Sequence, residues 1–595
     1  MNRWTMSVGT VLLAIGTVLF ADPTYLKRFQ AYQQWRENTP VQPDEQFLKF
    51  IAENKPLSKK LRNQWLFKLA EEKQWQFFLN YYQPDSSTSL QCYQAWAYYQ
   101  TNQSDKAAEL AKPLWLVGRS QNQACDLLFA ALLKDGAFNN DLIEQRIKLA
   151  LRIRNLPLSR YLLGKLTPPR LDDQATLVQI YRQPTHINHL STAPLHDEFY
   201  LYGLKRMVSR NMDQAIKYWR HVKSKKLLNP QQQQAFLAHV ALYKAIRNHN
   251  DAYYWFKKVN PEHYNNALLE WQIRYALKNR KWQRVLTLIA LMPDQNDPGL
   301  LYWRARAEEK TGRKKQALEH YQQLADMRHY YGFLANTRLK KPLQFAEENP
   351  TENKELLKSY QPVLDEIQDH YKSKHYLTAS RMINDFASEL PKNEQSALAL
   401  WVANELQWFG KSVYLSNDET LHNQLDLRFP LAHSKIIRTE LKGKSLPKAF
   451  VFAIIRQESA FRAQVVSAVG ARGLMQLMPK TASMVARNNQ IPYQNAGELF
   501  EADKNISLGV AYLNQLHKRF NGHPALMAAA YNAGPHQVDR WLKNDTPEEI
   551  DIWVETIPFH ETRNYLKNIM AFYAVYQYRL QQPAKLGYFL QPVKK

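Results

Sequence analysis

Residues 447–459 read Pro-Lys-Ala-Phe-Val-Phe-Ala-Ile-Ile-Arg-Gln-Glu-Ser, and this stretch organises the C-terminal part of the chain. Ser445 and Pro447 predict a helix start, with a capping serine and a proline in the first turn. The seven positions from Ala449 to Ile455 are all apolar. A helix that is apolar on every side is typical of a domain core. We therefore expect a fully buried helix here, in the middle of a domain.

Glu458 lies at the end of this predicted helix. A carboxyl group beside buried apolar residues is costly to ionise, so its pKa rises and it stays protonated near neutral pH. A general acid needs this property. Taken alone, however, most glutamates at helix ends are ordinary exposed charges.

The segment after Glu458 is free of acids, since residues 459–497 contain neither Asp nor Glu. It includes residues 470–479, in which two glycines indicate a close approach of the backbone to another group. The Met and Gln side chains of this segment could line a binding site with flexible apolar and polar groups. Ser467 could hydrogen-bond the acid. The alternative is a purely structural loop that enters a helix at Pro479.

Two further motifs follow. Residues 528–535 read Ala-Ala-Ala-Tyr-Asn-Ala-Gly-Pro, which predicts a closely packed helix that ends at Gly-Pro, with Tyr531 and Asn532 facing a cleft. Glu561 and Tyr565 are four residues apart and share one helix face. Each signal alone is weak, and a solvated acid in a first helical turn is the simpler interpretation of Glu561.

Taken in order, these motifs resemble the lytic transglycosylases, whose catalytic domain has the goose-type lysozyme-like fold. The resemblance rests on Glu458-Ser459 and on three further segments, 473–479, 530–535 and 561–565. The rest of the chain resembles more loosely the large soluble branch of this family from the Gram-negative periplasm. Leu477 and Leu566 replace the Ile or Val that is common in the family, an exchange of one apolar residue for another.

The resemblance implies that Glu458 is the sole catalytic acid and base. It would protonate the β-1,4 bond between N-acetylmuramic acid and N-acetylglucosamine, then deprotonate the C6 hydroxyl that closes a 1,6-anhydro ring. A hydrolytic muramidase of the same fold and a periplasmic glycan-binding scaffold are the alternatives. The resemblance implies that Ser467 supports the substrate or the acid near the cleavage point. It implies that Glu561 lies deeper in the same cleft with Tyr565 beside it, and that the glycan groove around the acid is lined by Gln476, Met478, Tyr531 and Asn532.

The residues before 430 predict a helical solenoid. A compact apolar residue followed four positions later by a large one recurs at spacings of 37, 33 and 32 residues, close to the period of helix–turn–helix repeats. Gly312 predicts a turn between two helices. The pairs are Ala215/Trp219, Ala252/Phe256, Val285/Ile289 and Ala317/Tyr321.

The predicted fold class is therefore mainly α. We expect an α-superhelical ring domain over residues 22–362, a small helical linker domain over 363–430, and a lysozyme-like catalytic domain over 431–595. The glycine-poor first part and the glycine-richer end of the chain agree with two architectures joined near residue 430.

The N-terminus predicts a secretory signal peptide over residues 1–21. Arg3 precedes an apolar run from Val8 to Phe20, which is shorter than the ~20 residues of a membrane span. An uncleaved anchor is the alternative interpretation. A signal peptide places the protein in the oxidising periplasm, where Cys92 and Cys125 are candidates for a disulfide.

The net charge of +25 over 595 residues indicates an anionic partner: nucleic acid, anionic lipid or an acidic wall polymer. The signal peptide and the missing nucleic-acid motif argue against nucleic acid. Peptidoglycan carries carboxylates on its peptides, so we expect glycan strands as the partner, with other cell-wall enzymes as further candidates. We expect no cofactor and no metal, since His186 and His189 are better explained as surface histidines.

Overall fold

The structure is a computed structural model that describes residues 23–350, 354–544 and 547–593. The predicted signal peptide, with Arg3 and the apolar run, lies outside these residues. All regular elements in the described ranges are helical, and β pairing there is limited to isolated bridges from Arg472 to Val466 and Leu477. The predicted mainly α fold class is confirmed.

The helices of the described ranges are numbered here in chain order. The first three are α1 (Pro23–Glu37), α2 (Glu45–Ala52) and α3 (Pro56–Glu71). The next are α4 (Trp75–Tyr81), α5 (Thr88–Gln100), α6 (Ser104–Trp115), α7 (Asp126–Lys134), α8 (Asn140–Arg152), α9 (Leu156–Leu163), α10 (Leu171–Arg182), α11 (His196–Arg210), α12 (Met212–Arg220), α13 (Val222–Leu227), α14 (Pro230–Ile246), α15 (Ala252–Phe256), α16 (Asn266–Lys278), α17 (Trp282–Ile289), α18 (Pro298–Lys310), α19 (Lys314–Ala325) and α20 (Tyr330–Leu339). They are followed by α21 (Gln361–Lys372), α22 (Tyr376–Ala387), α23 (Lys392–Asn404), α24 (Phe409–Leu415) and α25 (Leu425–Arg428). The last are α26 (Ser434–Glu440), α27 (Lys448–Glu458), α28 (Pro479–Asn489), α29 (Ala502–Arg519), α30 (Pro524–Ala533), α31 (Pro535–Asn544), α32 (Ile550–Thr556) and α33 (His560–Arg579).

The chain forms two compact units, each built from segments that are distant in sequence. One consists of the described residues up to 61 together with 347–430, and the other of 62–346 together with 431–595. The sequential division at 362 and 430 expected above stays a prediction. In the smaller unit, Asp385 of α22 accepts hydrogen bonds from Tyr32, Arg36 and Lys60 at 3.1, 3.1 and 2.9 Å.

The larger unit contains the predicted helical hairpins. The predicted residue pairs lie on the second helix of the hairpins α11/α12, α14/α15, α16/α17 and α18/α19, and the first member of each pair is buried. The turns of the last three hairpins repeat at intervals of 32 residues, with Asn248, Arg280 and Gly312 in the left-handed region. In each turn the next amide N–H donates to a carbonyl five residues earlier, at 2.8–2.9 Å, which is the helix-ending Schellman bond.

The helix that carries Glu458 is buried as predicted. All residues from Ala449 to Arg456 are buried in α27, which packs along α33, with the rings of Phe452 and Tyr576 stacked at 5.1 Å. The predicted capping by Ser445 is wrong. Helix α27 begins at Lys448, after Pro447 in an extended conformation. Proline disfavours helical angles in the residue before it, so the helix cannot start as early as Ser445.

Within the ranges that the structure describes, no helix is both long and apolar enough to cross a membrane.

Candidate active site

Glu458 is the last residue of α27 and meets the side of α33. The hydroxyl of Tyr565, a residue of α33 that is only 4 % exposed, donates to Glu458 Oε1 at 2.6 Å. Burial raises the pKa of Glu458 to about 7; the Tyr565 hydrogen bond opposes this rise, and the negative charge of Glu561 adds to it. A carboxyl group with this pKa can release a proton and take one back near neutral pH.

Two tyrosines, the buried Tyr565 and the half-buried Tyr531, flank this carboxyl group. Burial and the nearby charge of Glu458 raise the pKa of both well above the usual value, so both hydroxyls remain protonated donors. The Tyr531 hydroxyl donates to the backbone carbonyl of Met475 at 2.8 Å. Tyr531 therefore links α30 to the loop before α28, while Tyr565 acts on the acid directly.

Asn532 and Glu561 form the outer part of the site. Asn532 Nδ2 donates to Glu561 Oε1 at 3.2 Å, and Thr562 Oγ1 donates to Asn532 Oδ1 at 2.7 Å. Glu561 is exposed at the start of α33, so the expected position deeper in the cleft is wrong, whereas Thr562 is 1 % exposed. The orienting role of Thr562 was missed by sequence reasoning, although the residue lies inside the quoted motif, because its partner is 30 residues away.

The loop of residues 465–478 carries the remaining predicted site residues. Ser467 Oγ accepts the Ala471 N–H at 3.0 Å, so its recorded hydrogen bond lies inside its own turn rather than with Glu458. Gln476 Nε2 donates to the carbonyls of Val465 and Gly473 at 3.2 and 2.9 Å. Both amide hydrogens of Gln476 are thus occupied, which leaves its carbonyl oxygen for a ligand.

Met478 ends this loop just before α28, and its side chain is 39 % exposed. The thioether side chain of Met478 is flexible, so it can adapt its contacts to apolar surfaces of different shape.

Asn505 of α29 supports the loop from the interior of the domain through side-chain hydrogen bonds. Sequence reasoning missed this residue. It is fully buried, and its Nδ2 donates to the carbonyls of Arg472 and Leu499 at 3.0 and 2.8 Å while its Oδ1 accepts the Met475 N–H at 2.7 Å. An isolated asparagine in an amphipathic helix gives no sequence signal for this role.

A cavity of about 430 Å³ is lined in part by residues 556–559, the segment that leads into α33. Glu458 does not line it. Its aromatic wall comes from Trp271, Trp541, Trp553 and Phe559, and it is completed by Arg247, directly after α14, and by cationic side chains of α16 and α31.

Arg563 supports the same segment. It donates to the Ile557 carbonyl at 2.6 Å, and its guanidinium lies 5.3 Å from the centre of the Trp271 ring.

Cys92 of α5 and Cys125 are joined in the structure as a disulfide, with their Cα atoms 5.0 Å apart and both side chains fully buried. They lie in residues 62–346, far in sequence from Glu458.

Comparison with known proteins identifies one family in the C-terminal part of the chain. Residues 435–554 match the model of the transglycosylase SLT domain, and residues 556–585 match that of the soluble lytic transglycosylase helical domain. The soluble lytic murein transglycosylase of Escherichia coli K12 is 28 % identical over 560 residues, covering 92 % of this chain and 86 % of that protein.

Two solved structures are similar over nearly the whole chain. An inactive glutamate-to-glutamine mutant of the lytic transglycosylase Slt from Pseudomonas aeruginosa aligns with a TM-score of 0.78 and 29 % identity, covering 95 % of this chain and 94 % of that one. The 70 kDa soluble lytic transglycosylase of Escherichia coli aligns with a TM-score of 0.74 and 27 % identity, covering 96 % and 94 %.

The helical fold, the half-buried acid and the matching domain define the class, and the protein is a lytic transglycosylase. Because the similarity extends through the helical part as well, the chain belongs to the soluble lytic murein transglycosylases.

Proposed function

We propose that the protein cleaves the β-1,4 bond between N-acetylmuramic acid and N-acetylglucosamine in peptidoglycan and leaves 1,6-anhydromuramic ends. The observation that carries this proposal is Glu458: burial raises its pKa to about 7, and Tyr565 holds its Oε1 at 2.6 Å. The similarity to murein transglycosylases over 92 % of the chain supports the choice of polymer.

The first step is a proton transfer. Protonated Glu458 donates to the glycosidic oxygen, and the bond between this oxygen and C1 of the muramic acid breaks with departure of the N-acetylglucosamine alcohol. The muramic N-acetyl group stabilises the positive charge that develops at C1. The Tyr565 hydroxyl stays protonated, so it stabilises the new Glu458 carboxylate by donating a hydrogen bond to it.

The second step closes the ring. The Glu458 carboxylate removes the proton of the C6 hydroxyl on the same sugar, and the oxygen forms a bond to C1. Glu458 is protonated again, and no water is consumed. An intramolecular nucleophile has a high effective concentration, so a second catalytic carboxylate is not required.

The groove around this acid is proposed to consist of the other predicted residues. Glu561 and Asn532 form a hydrogen-bonded pair that can accept and donate to sugar hydroxyls. The free carbonyl oxygen of Gln476 and the exposed Met478 offer one polar and one apolar contact. Ser467 and Tyr531 act indirectly, since both support the loop.

The place of action is proposed to be the periplasm, where peptidoglycan strands and other cell-wall enzymes are the partners. This rests on the murein-specific relatives, on the predicted signal peptide, and on a disulfide that an oxidising compartment would maintain.

Mass spectrometry of the products from purified peptidoglycan tests the proposal. We expect anhydro ends, which lack one water relative to hydrolysed ends, and none from Glu458→Gln. Hydrolysed ends would show a muramidase instead, and binding without any cleavage would show a glycan-binding scaffold.

A further inference from the structure

Two neighbouring residues in the first turn of α33 differ in burial and contact the same side chain of α30. Thr562 is 1 % exposed, whereas Glu561 is exposed to solvent. Asn532, the penultimate residue of α30, accepts the Thr562 hydroxyl at Oδ1, at 2.7 Å, and its Nδ2 donates to Glu561 Oε1 at 3.2 Å. The Asn532 amide therefore bridges a buried hydroxyl and an exposed carboxylate.

The orientation of this amide follows from the chemistry of its two neighbours. A carboxylate can only accept hydrogen bonds, whereas a hydroxyl can donate or accept. With Nδ2 toward Glu561 and Oδ1 toward Thr562, both ends of the Asn532 amide are paired. The reverse orientation would place Oδ1 against the Glu561 carboxylate, and two acceptors repel each other. Thr562 therefore supplies the donor that the favourable orientation needs.

The donor position of Thr562 is itself well fixed. A buried polar group without a hydrogen-bond partner is costly, so the Thr562 hydroxyl is held to the oxygen of Asn532. The next residue, Arg563, is 3 % exposed and donates to the Ile557 carbonyl at 2.6 Å. This second bond anchors the first turn of α33, so the Thr562 hydroxyl is presented to α30 from a fixed backbone.

Glu561 acts in turn on the acid of the site. Burial raises the pKa of Glu458, the Tyr565 hydrogen bond opposes this rise, and the negative charge of Glu561 adds to it. Tyr531 of α30 also lies near this carboxyl group, but its hydroxyl remains protonated and adds no charge. The position of the Glu561 carboxylate therefore affects how readily Glu458 holds its proton.

We propose that Thr562 is a positioning residue, whose hydroxyl fixes the Asn532 amide so that this amide holds the Glu561 carboxylate near Glu458. The Glu561 charge then favours the protonated form of the acid before the first step. This role rests on the proposed function, in which Glu458 is the acid. Thr562 is buried and acts through Asn532 and Glu561.

The pH dependence of kcat for release of anhydro products from purified glycan strands tests this role. Thr562→Val removes the hydroxyl with little change in volume, and Thr562→Ser retains the hydroxyl. Glu561→Gln removes the charge, and the double variant with Thr562→Val completes a mutant cycle. The matched control is Thr337→Val, since the Thr337 hydroxyl donates to the Phe333 carbonyl within its own helix, α20, at 2.8 Å.

We expect Thr562→Val to move the alkaline limb of kcat to lower pH by roughly half a unit, because Glu458 loses a like charge that keeps it protonated. Thr562→Ser and Thr337→Val should keep the limb of the wild type. Glu561→Gln should move the limb in the same direction, and the double variant should match Glu561→Gln alone. An unshifted limb in Thr562→Val would overturn the proposal. Shifts that add in the double variant would also overturn it, because Thr562 would then act independently of Glu561.

Two further measurements do not depend on the folding of Thr562→Val or on the reaction. Asn532→Ala removes the bridge without a change in α33 and should give the same shift; an unshifted limb would again contradict the proposal. A crystal structure of Thr562→Val should show the Asn532 amide turned away from Glu561, and an unchanged contact would overturn the positioning role. Hydrolysed ends or no cleavage by the wild type would instead contradict the proposed function, so the two failures are distinguishable.

Discussion

At the scale of single residues, the proposed chemistry depends on the environment of one carboxyl group, that of Glu458. Glu458 is the last residue of a helix in which all positions from Ala449 to Arg456 are buried, and it is itself half-buried, so water cannot stabilise its charge fully. The Tyr565 hydrogen bond works against this effect and brings the pKa to about 7 rather than higher. The same group can therefore act first as an acid and then as a base.

Glu458→Gln should abolish formation of anhydro products and increase stability at alkaline pH. The pKa of Glu458 is raised by folding, so its contribution to stability is complete below its unfolded value of 4.5 and decreases as pH rises through about 7. Ionisation then costs about 3 kcal/mol, which glutamine avoids. The difference in Tm between variant and wild type should grow from pH 5 to pH 8; a constant difference would contradict the raised pKa.

Tyr565→Phe should shift the pH profile as well as lower the rate. Without the hydroxyl, the carboxylate loses the hydrogen bond that lowers its pKa, so the alkaline limb of activity moves to higher pH. We expect kcat to fall roughly tenfold or more, since the acid is no longer oriented. Tyr573→Phe in the same helix, whose hydroxyl bonds Gln577 rather than Glu458, is the control. An unshifted profile would argue against the assigned role.

At the scale of elements, two buried features support the loop 465–478, which carries several of the proposed groove residues. Asn505 bonds three backbone groups around it. Gly473 has a φ of +74°, and a Cβ there would lie 1.9 Å from the Leu499 carbonyl oxygen. Only glycine meets both conditions, so the loop position depends on this residue.

Gly473→Ala should therefore move the loop, lower activity roughly tenfold or more, and lower Tm clearly. Gly443→Ala is a matched control, because Gly443 has a similar φ of +70° but has nothing within 4 Å of an added Cβ. The control should cost only the conformational strain, about 1–2 kcal/mol, and retain activity. If the two variants behave alike, the close approach at Leu499 has no importance.

Reduction of the disulfide should destabilise the helical region without direct effect on catalysis. Cys92 and Cys125 close a loop of 33 residues, for which loss of the cross-link costs about 3–4 kcal/mol through the entropy of the unfolded chain. A phosphine reductant should lower the Tm of the wild type and leave that of the double Cys→Ala variant unchanged. If the Tm of the wild type does not change once the bond has been reduced, the cross-link does not stabilise the fold.

At the scale of the whole molecule, buried ion pairs join the residues before 346 to the C-terminal segment within one compact unit. Glu555 of α32 accepts hydrogen bonds from Tyr331 at 2.8 Å and lies 2.9 Å from Lys567 of α33. Its pKa is held well below the usual range, because Lys567 and Arg274 outweigh its burial. In a second buried contact between the same parts of the chain, the Tyr302 hydroxyl donates to Asp551 Oδ2 at 2.7 Å. These contacts fix the end of α33 that carries Tyr565.

Tyr331→Phe should lower the free energy of unfolding by about 1–3 kcal/mol, because it leaves a buried carboxylate and ammonium without their shared hydroxyl. Tyr330→Phe is the control, since the neighbouring Tyr330 hydroxyl is buried with no hydrogen-bond partner in the described part of the chain. We expect the control to be neutral or slightly stabilising by Tm. Equal effects of the two substitutions would mean that the shared bond contributes little.

Much of this architecture was predictable from short-range patterns. The hairpin turn at Gly312, the buried helix before Glu458, and the helix end at Gly534 all depend on neighbours within a few residues, and each was predicted and is seen. The capping of α27 by Ser445 was wrong because a proline two residues later overrides the capping preference. Thr562 and Asn505 could not be predicted, since their partners lie about 30 residues away.

The sequence by itself determined that the chain is helical, that its first part repeats, and that one glutamate follows a core helix. These properties come from local propensity and periodicity. Only the tertiary structure decided the pKa of Glu458 and the hydrogen bond that Ser467 accepts within its own turn. It also decided that residues 62–346 and the C-terminal segment form one compact unit. Burial and ion pairing depend on contacts between elements that are distant in sequence. No local stretch of sequence therefore determines these properties.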